Sequence, residues 1–360
     1  MASLPPRPTR LQRAWAAVLL ALLMPALPAL LGGCGSRVLL VDQGPQAYYQ
    51  TAFPVRDTSR ELERTFRSLH RVVYTAEYET FYFTPDAGVM ESDLEDPAVL
   101  ERAVEQFTEL DSKAGTAVVV ARAEAAMALV TNDHVVHFPP VRILHLDDDA
   151  LRLPRGQRRV ASVSIRRGEW GVLADNPELG TFAVLARDPV TDLAILEVSL
   201  PEWVPPTAFP RLGLPSGDPG RLSWGSFVYV LGYPSGYAMV TRAIVSDPDR
   251  DLRGGFLTDG LWNEGISGGV LLAVRGDTGA LEWVGVARAG AGTREVRLQP
   301  GGFDFLEGDE GVLYEGPIFA ESTLRIQYGI TLSVSMTLIR SFLDEHRTLL
   351  QRRGHDLRRY

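Results

Sequence analysis

A chain of 360 residues with 45% hydrophobic content can bury a sizeable core and is not a disordered polymer. Its 36 basic and 45 acidic residues give a formal charge of −9, which argues against nucleic acid or an anionic lipid surface as a partner. The sole cysteine, Cys34, leaves no disulfide within the chain, so burial alone must stabilise the fold.

The N-terminus reads as a targeting segment, to be set aside from the fold. Arg7, Arg10 and Arg13 precede 20 uncharged residues, 14–33, and Cys34 follows directly on Leu31-Gly32-Gly33. This resembles a bacterial lipoprotein signal, which implies cleavage before Cys34 and a diacylated thiol. The chain would then be anchored by lipid in the bacterial cell envelope, with its domain facing the periplasm or exterior. Twenty uncharged residues could also span a bilayer, but Pro25 and Pro28 interrupt a continuous helix. Loss of residues 1–33 removes three arginines and no acid, leaving 33 basic against 45 acidic residues, or −12. Residues 34–57, with Gly44-Pro45 and Pro54, read as a tether from the membrane.

Residues 57–70 combine capping residues with Leu62, Phe66 and Leu69 at helical spacing, and predict a helix. Residues 71–83 alternate and predict a first strand. In the acidic stretch 91–112, Leu100, Val104, Phe107 and Leu110 predict a short helix. From Gly115 onward, short apolar runs broken by Gly, Pro and Asp predict an all-β barrel; 227–231, 270–274 and 283–286 are the clearest strands. Residues 289–325 form a Gly-rich, acidic insertion, read as a lid or as a passive surface loop. Leu338, Ile339, Phe342, Leu349 and Leu350 predict a closing helix within 336–352, and 353–360 a short tail. No repeats, metal-ligand clusters or nucleotide-binding loops stand out, so no cofactor is expected.

Three segments carry candidate chemistry. Residues 127–136 are an apolar run ending in a polar turn that holds His134, whose unperturbed pKa of about 6.5 suits a general base. His137 is the nearby rival, and a satisfied core histidine is the bland alternative. Asp192 opens an alternating segment within 187–198, where a strand-edge carboxylate can fix a histidine tautomer. Asp188, before Pro189, reads as a turn residue. Ser267 lies between Gly265 and Gly268-Gly269, glycines that let backbone N–H groups converge on one point.

The order His134, Asp192, Ser267, at separations of 58 and 75 residues, resembles the trypsin/chymotrypsin superfamily. The local wording is similar to bacterial HtrA/Deg-type proteases. Thr131-Asn132-Asp133-His134-Val135-Val136 matches that family's base segment, and Asp192-Leu193-Ala194-Ile195-Leu196 its acid segment. Thr258, Asp259, Asn263, Gly265, Ser267, Gly268 and Gly269 match its nucleophile segment. Residues 231–236 and 328–332 add a Gly-x-Pro-x-Gly-like turn and a last barrel strand, so the likeness spans about 68–347. Ile266 and Val270 depart from it, standing where Asn or Asp and usually Pro are found.

The resemblance implies a double six-stranded β-barrel with N- and C-terminal helices over 58–352. His134, Asp192 and Ser267 would be catalytic, and the N–H groups of Gly265 and Ser267 would form an oxyanion hole. Leu261, six residues before the nucleophile, with Trp262 would shape the specificity pocket. Polypeptides would be the substrates. No segment long enough for a PDZ domain follows the closing helix. The altered residues 266 and 270 leave a second reading open, a catalytically silent lipoprotein that binds peptides by strand addition. A third is an envelope protein whose serine turn is accidental. Oligomeric state is not encoded in any of these motifs.

Overall fold

The computed structural model describes residues 47–357 apart from 147–153, 155, 206, 250–253, 261–262 and 301–317. The signal segment, Cys34, the first part of the tether, Leu261 and Trp262 lie outside the described residues.

The first barrel is built from β1 (Leu69–Tyr82), β2 (Glu105–Arg122), β3 (Ala126–Thr131), β5 (Val160–Leu173), β6 (Thr181–Asp188) and β7 (Leu193–Ser199). They pair in the order β1-β2-β3-β7-β6-β5, and β5 returns to β1 to close the ring. A short strand, β4 (Val141–His145), lies along β5. Alternation is the reason these segments form strands. In β1, Val72, Tyr74, Ala76 and Tyr78 are buried while the residues between them are half-exposed.

The second barrel closes in the order β10-β13-β12-β11-β8-β9. Its strands are β8 (Phe227–Gly232), β9 (Met239–Asp247), β10 (Gly255–Thr258), β11 (Val270–Val274), β12 (Leu281–Pro300) and β13 (Ile318–Ser335). β11 is buried at every position, as a continuous apolar run demands. One apolar cluster joins the barrels, with Leu69, Val130 and Ile195 of the first packed with Leu231, Val270 and Trp283 of the second. The trypsin-like double-barrel fold expected from the resemblance is present.

Helix α1 (Ser59–Phe66) precedes β1, and the predicted helix stops there because Leu69 and His70 already pair with Val118 and Ala117. Helices α2 (Met336–Glu345) and α3 (Arg347–Arg352) replace one closing helix, with the break at His346. α2 buries Met336, Ile339, Phe342 and Leu343 in the shared core. Beyond it, Arg353 and His355 both bind Glu197 on β7, so the described part of the tail docks on the first barrel.

Three readings need correction. The predicted helix within 91–112 is confined to two 3-10 turns, Glu91–Glu95 and Pro97–Arg102. From Glu105 the chain is extended, because the backbone of β1 beyond Tyr74 offers it a partner; Val104, Phe107 and Leu110 stay exposed, with the Phe107 ring stacked on Tyr82. Within the insertion at 289–325, the described residues up to Pro300 and from Ile318 are strand rather than loop. β12 and β13 stay paired through Gly292↔Ile326 to Pro300↔Ile318, well past the barrel rim. The described part of the tether, 47–57, is not free either. Tyr49 is fully buried and hydrogen-bonds Glu282, while the backbone of Gln50 bridges Val274 and Phe227.

Candidate active site

Each of the three candidate side chains sits where a strand ends. His134 lies in the 3-10 turn Asp133–Val135 directly after β3. That turn is held from three sides. Asn132 Nδ2 donates to the Asp192 carbonyl (2.9 Å), Asp133 pairs with Arg187 (2.6 Å), and Lys113 Nζ donates to the carbonyls of His134 (3.1 Å) and His137 (2.6 Å). Burial lowers the Lys113 pKa, because desolvation disfavours the charged amine.

Asp192 closes the turn between β6 and β7 with φ of 60°, a left-handed conformation that Asp tolerates better than most residues. Its carboxylate is buried and fully engaged. Oδ1 accepts from the His134 backbone N–H (2.9 Å), and both oxygens lie within 3.0 Å of His134 Nδ1. Arg288 Nε donates to Oδ2 at 3.0 Å. Burial alone would raise the Asp192 pKa; the hydrogen bonds and charge of His134, with the Arg288 guanidinium, outweigh it and hold the carboxyl below the ordinary range. The rival residues are used elsewhere. Asp188 caps its own turn through Val190 N and Thr191 Oγ1, and His137 lies against Arg187.

Ser267 sits between β10 and β11 and is buried apart from its exposed edge. Its Oγ is 2.9 Å from His134 Nε2, on the opposite side of the ring from Asp192. The loop depends on glycine at two points. A Cβ at Gly268 (φ +86°) would lie 1.9 Å from the Thr116 carbonyl, and one at Gly265 (φ +96°) 2.4 Å from that of Tyr233. Thr116, fully buried on β2, fastens the loop to the first barrel. Its N–H donates to the Ser267 carbonyl (2.7 Å), while its hydroxyl donates to the Gly265 carbonyl (2.8 Å) and accepts from Tyr233 N (2.9 Å).

The expected oxyanion donors differ from their neighbour in what they bind. The Ile266 N–H is spent on the Asn263 carbonyl (3.2 Å), whereas those of Gly265 and Ser267 meet no acceptor among the described residues. The Glu264 carbonyl is held by Ser235 N (2.6 Å), which fixes the Glu264–Gly265 peptide plane and with it the direction of the Gly265 N–H. Ile266 is buried in the second-barrel core beside Val230 and Leu271. The departure at 266 thus replaces a polar anchor with an apolar one, and the departure at 270 continues the buried run of β11.

Sequence reasoning found His134, Asp192, Ser267 and Gly265, and the structure brings all four together. It missed Arg288, Thr116, Ser235 and the Asp133–Arg187 pair. A threonine inside the apolar run 114–121 was the one available signal; Arg288 in Ala287-Arg288-Ala289 offers none.

An array of this kind can move a proton. Imidazole between a serine hydroxyl and a buried carboxylate can take the hydroxyl proton as oxygen attacks carbon, and free N–H groups nearby can receive developing negative charge.

Among known proteins, the trypsin-like peptidase domain family matches residues 115–281, which contain all three side chains. No curated protein shows a significant match in sequence. Solved structures that resemble the chain include the HtrA-type protease AlgW with a tripeptide (17% identity, TM-score 0.40, covering 81% of this chain and 64% of that one). A variant of AlgW with a decapeptide gives 18%, 0.41, 81% and 68%. The same variant with a tripeptide gives 17%, 0.41, 81% and 64%, so this chain spans less than two thirds of it. The segment that resembles the trypsin-like peptidase domain family, 115–281, thus runs from β2 of the first barrel into β12 of the second.

Proposed function

We propose that this chain is a serine endopeptidase of the cell envelope, held to the membrane by lipid on Cys34. The observation that carries the reaction is the unbroken line from Asp192 Oδ2 through His134 to Ser267 Oγ, with both hydrogen bonds at 2.9 Å. In this reading Ser267 attacks the scissile carbonyl as His134 Nε2 takes its proton. Asp192 holds the ring with Nδ1–H toward the carboxylate and stabilises the imidazolium. The Gly265 and Ser267 N–H groups stabilise the tetrahedral oxyanion, where one donor is worth about 10²–10³ in rate. His134 then protonates the departing amine, and water repeats the sequence on the acyl-enzyme.

Specificity in this reading follows the HtrA-like wording of the nucleophile segment. Leu261 supplies no carboxylate to pair a basic side chain, so cleavage falls after small or medium apolar residues. The test is hydrolysis of unfolded polypeptide by the purified mature chain, with cleavage sites read by mass spectrometry. Apolar sites in the wild type, with a loss of about 10⁴–10⁶ in Ser267→Ala, support the proposal. Cleavage after Arg or Lys refutes the specificity, and unchanged hydrolysis in Ser267→Ala refutes the nucleophile. For the anchor, Cys34→Ala is expected to move the protein from the membrane fraction to the soluble one; unaltered partition would contradict lipidation.

A further inference from the structure

The second cation at the candidate acid carries an inference beyond the triad itself. Asp192 has two carboxylate oxygens, and Arg288 Nε occupies one of them at 3.0 Å while His134 occupies both. The carboxylate is only 7% exposed and the Arg288 side chain 29%, so solvent screens this contact weakly. A buried carboxylate that supports an imidazolium does so through its negative charge, and a guanidinium in direct contact offsets part of that charge.

We propose that Arg288 is a positioning residue that also tunes the triad: it locks the Asp192 carboxylate and weakens its hold on protonated His134, so the site keeps working at lower pH than it would without the arginine. This rests on the hydrolase reading above. It adds a residue that no part of that reading assigns, and one that lies past the matched segment 115–281.

The sign follows from the charges. The imidazole must be neutral to accept the serine proton, and a nearby positive charge disfavours the protonated ring, so activity survives further into acid. Among the described residues, the other charged groups that hold the His134 turn have partners of their own. Asp133 and Arg187 neutralise one another, His137 lies against that same arginine, and Lys113 is bound to main-chain carbonyls. Among the described residues, Arg288 is the one cation in contact with the acid itself. Its backbone belongs to β12, at the point where that strand leaves the barrel for its ribbon with β13, so the strand that forms one arm of the ribbon also delivers the charge.

The experiment compares wild type, Arg288→Gln and Arg288→Lys. Two readouts are needed, the pH profile of kcat/KM on a peptide substrate and the titration of the His134 ring by NMR, which requires no turnover. In Arg288→Gln, both the acid limb of the profile and the ring titration are expected to move up by about one pH unit. Arg288→Lys is expected to restore both toward wild type, since it keeps the charge and loses the fork. Identical titration of His134 in wild type and Arg288→Gln, with the fold intact, would overturn the proposal and leave Arg288 a structural contact. A shifted titration in a protein that hydrolyses nothing would sustain the electrostatic coupling and sink only the hydrolase reading.

Discussion

At the scale of single residues, the site is held by groups that do no chemistry themselves. Thr116 is the clearest. Its one hydroxyl serves both the Gly265 carbonyl and the Tyr233 N–H, and no water can replace it in a fully buried position. Thr116→Val keeps the volume and removes both bonds, so it is expected to cost about 1–3 kcal/mol and to lower kcat more than it raises KM. Chemical denaturation and steady-state kinetics on the same preparation check this; an unchanged kcat would show that the loop holds its shape without the clasp. Asp192 gives a pH-dependent test. Its carboxyl sits below its unfolded value, so folding favours the ionised form. The stability it contributes is complete above roughly pH 4 and drains as pH falls through the lower folded-state value. The stability gap between wild type and Asp192→Asn is therefore expected to narrow on acidification, and a gap that widens would contradict the assignment. His134, Asp192 and Ser267 were legible in the sequence because each sits in a short, wordy motif. Arg288 was not, because a cation on a strand reveals its partner only when another strand brings that partner near.

Among elements, the two misread segments fail for one shared reason. Leu100, Val104, Phe107 and Leu110 have helical spacing, and 289–325 is rich in glycine and acid, so neither carries the alternation that announces a strand. Both become hairpin arms because a neighbouring strand is already extended, β1 for one and the barrel half of β13 for the other. Tertiary pairing overrides local pattern here. The ribbon formed by β12 and β13 leaves the barrel after the pairs Gly285↔Ser335 and Ala287↔Ser333. Replacing 293–325 with a short turn is accordingly expected to leave the thermal midpoint within about 2–4 °C of wild type, a change of roughly 1 kcal/mol at this size. Cooperative unfolding by calorimetry would show it. Collapse of the second barrel on this deletion would mean that the ribbon is part of the fold rather than an extension of it.

In the molecule as a whole, the candidate site is a product of the seam. β2, β3 and β7 of the first barrel deliver Thr116, His134 and Asp192; β11 and β12 of the second deliver Ser267 and Arg288. Continuous burial from Val130 and Ile195 to Val270 and Trp283 sets the distance between the two sets. Trp283 is fully buried there, with its indole N–H on the Gly285 carbonyl at 2.8 Å. Trp283→Ala is expected to cost about 3–5 kcal/mol and to weaken activity by letting the two sets drift.

Labelling with a fluorophosphonate, followed by peptide mapping, puts the central claim to the most direct trial. The reagent reacts only with a serine whose proton has somewhere to go and whose oxyanion is received. Stoichiometric modification at Ser267 is expected in the folded wild type, falling to background in His134→Ala and Ser267→Ala. A folded wild-type protein that takes up no label, or takes it up equally without His134, would contradict the account.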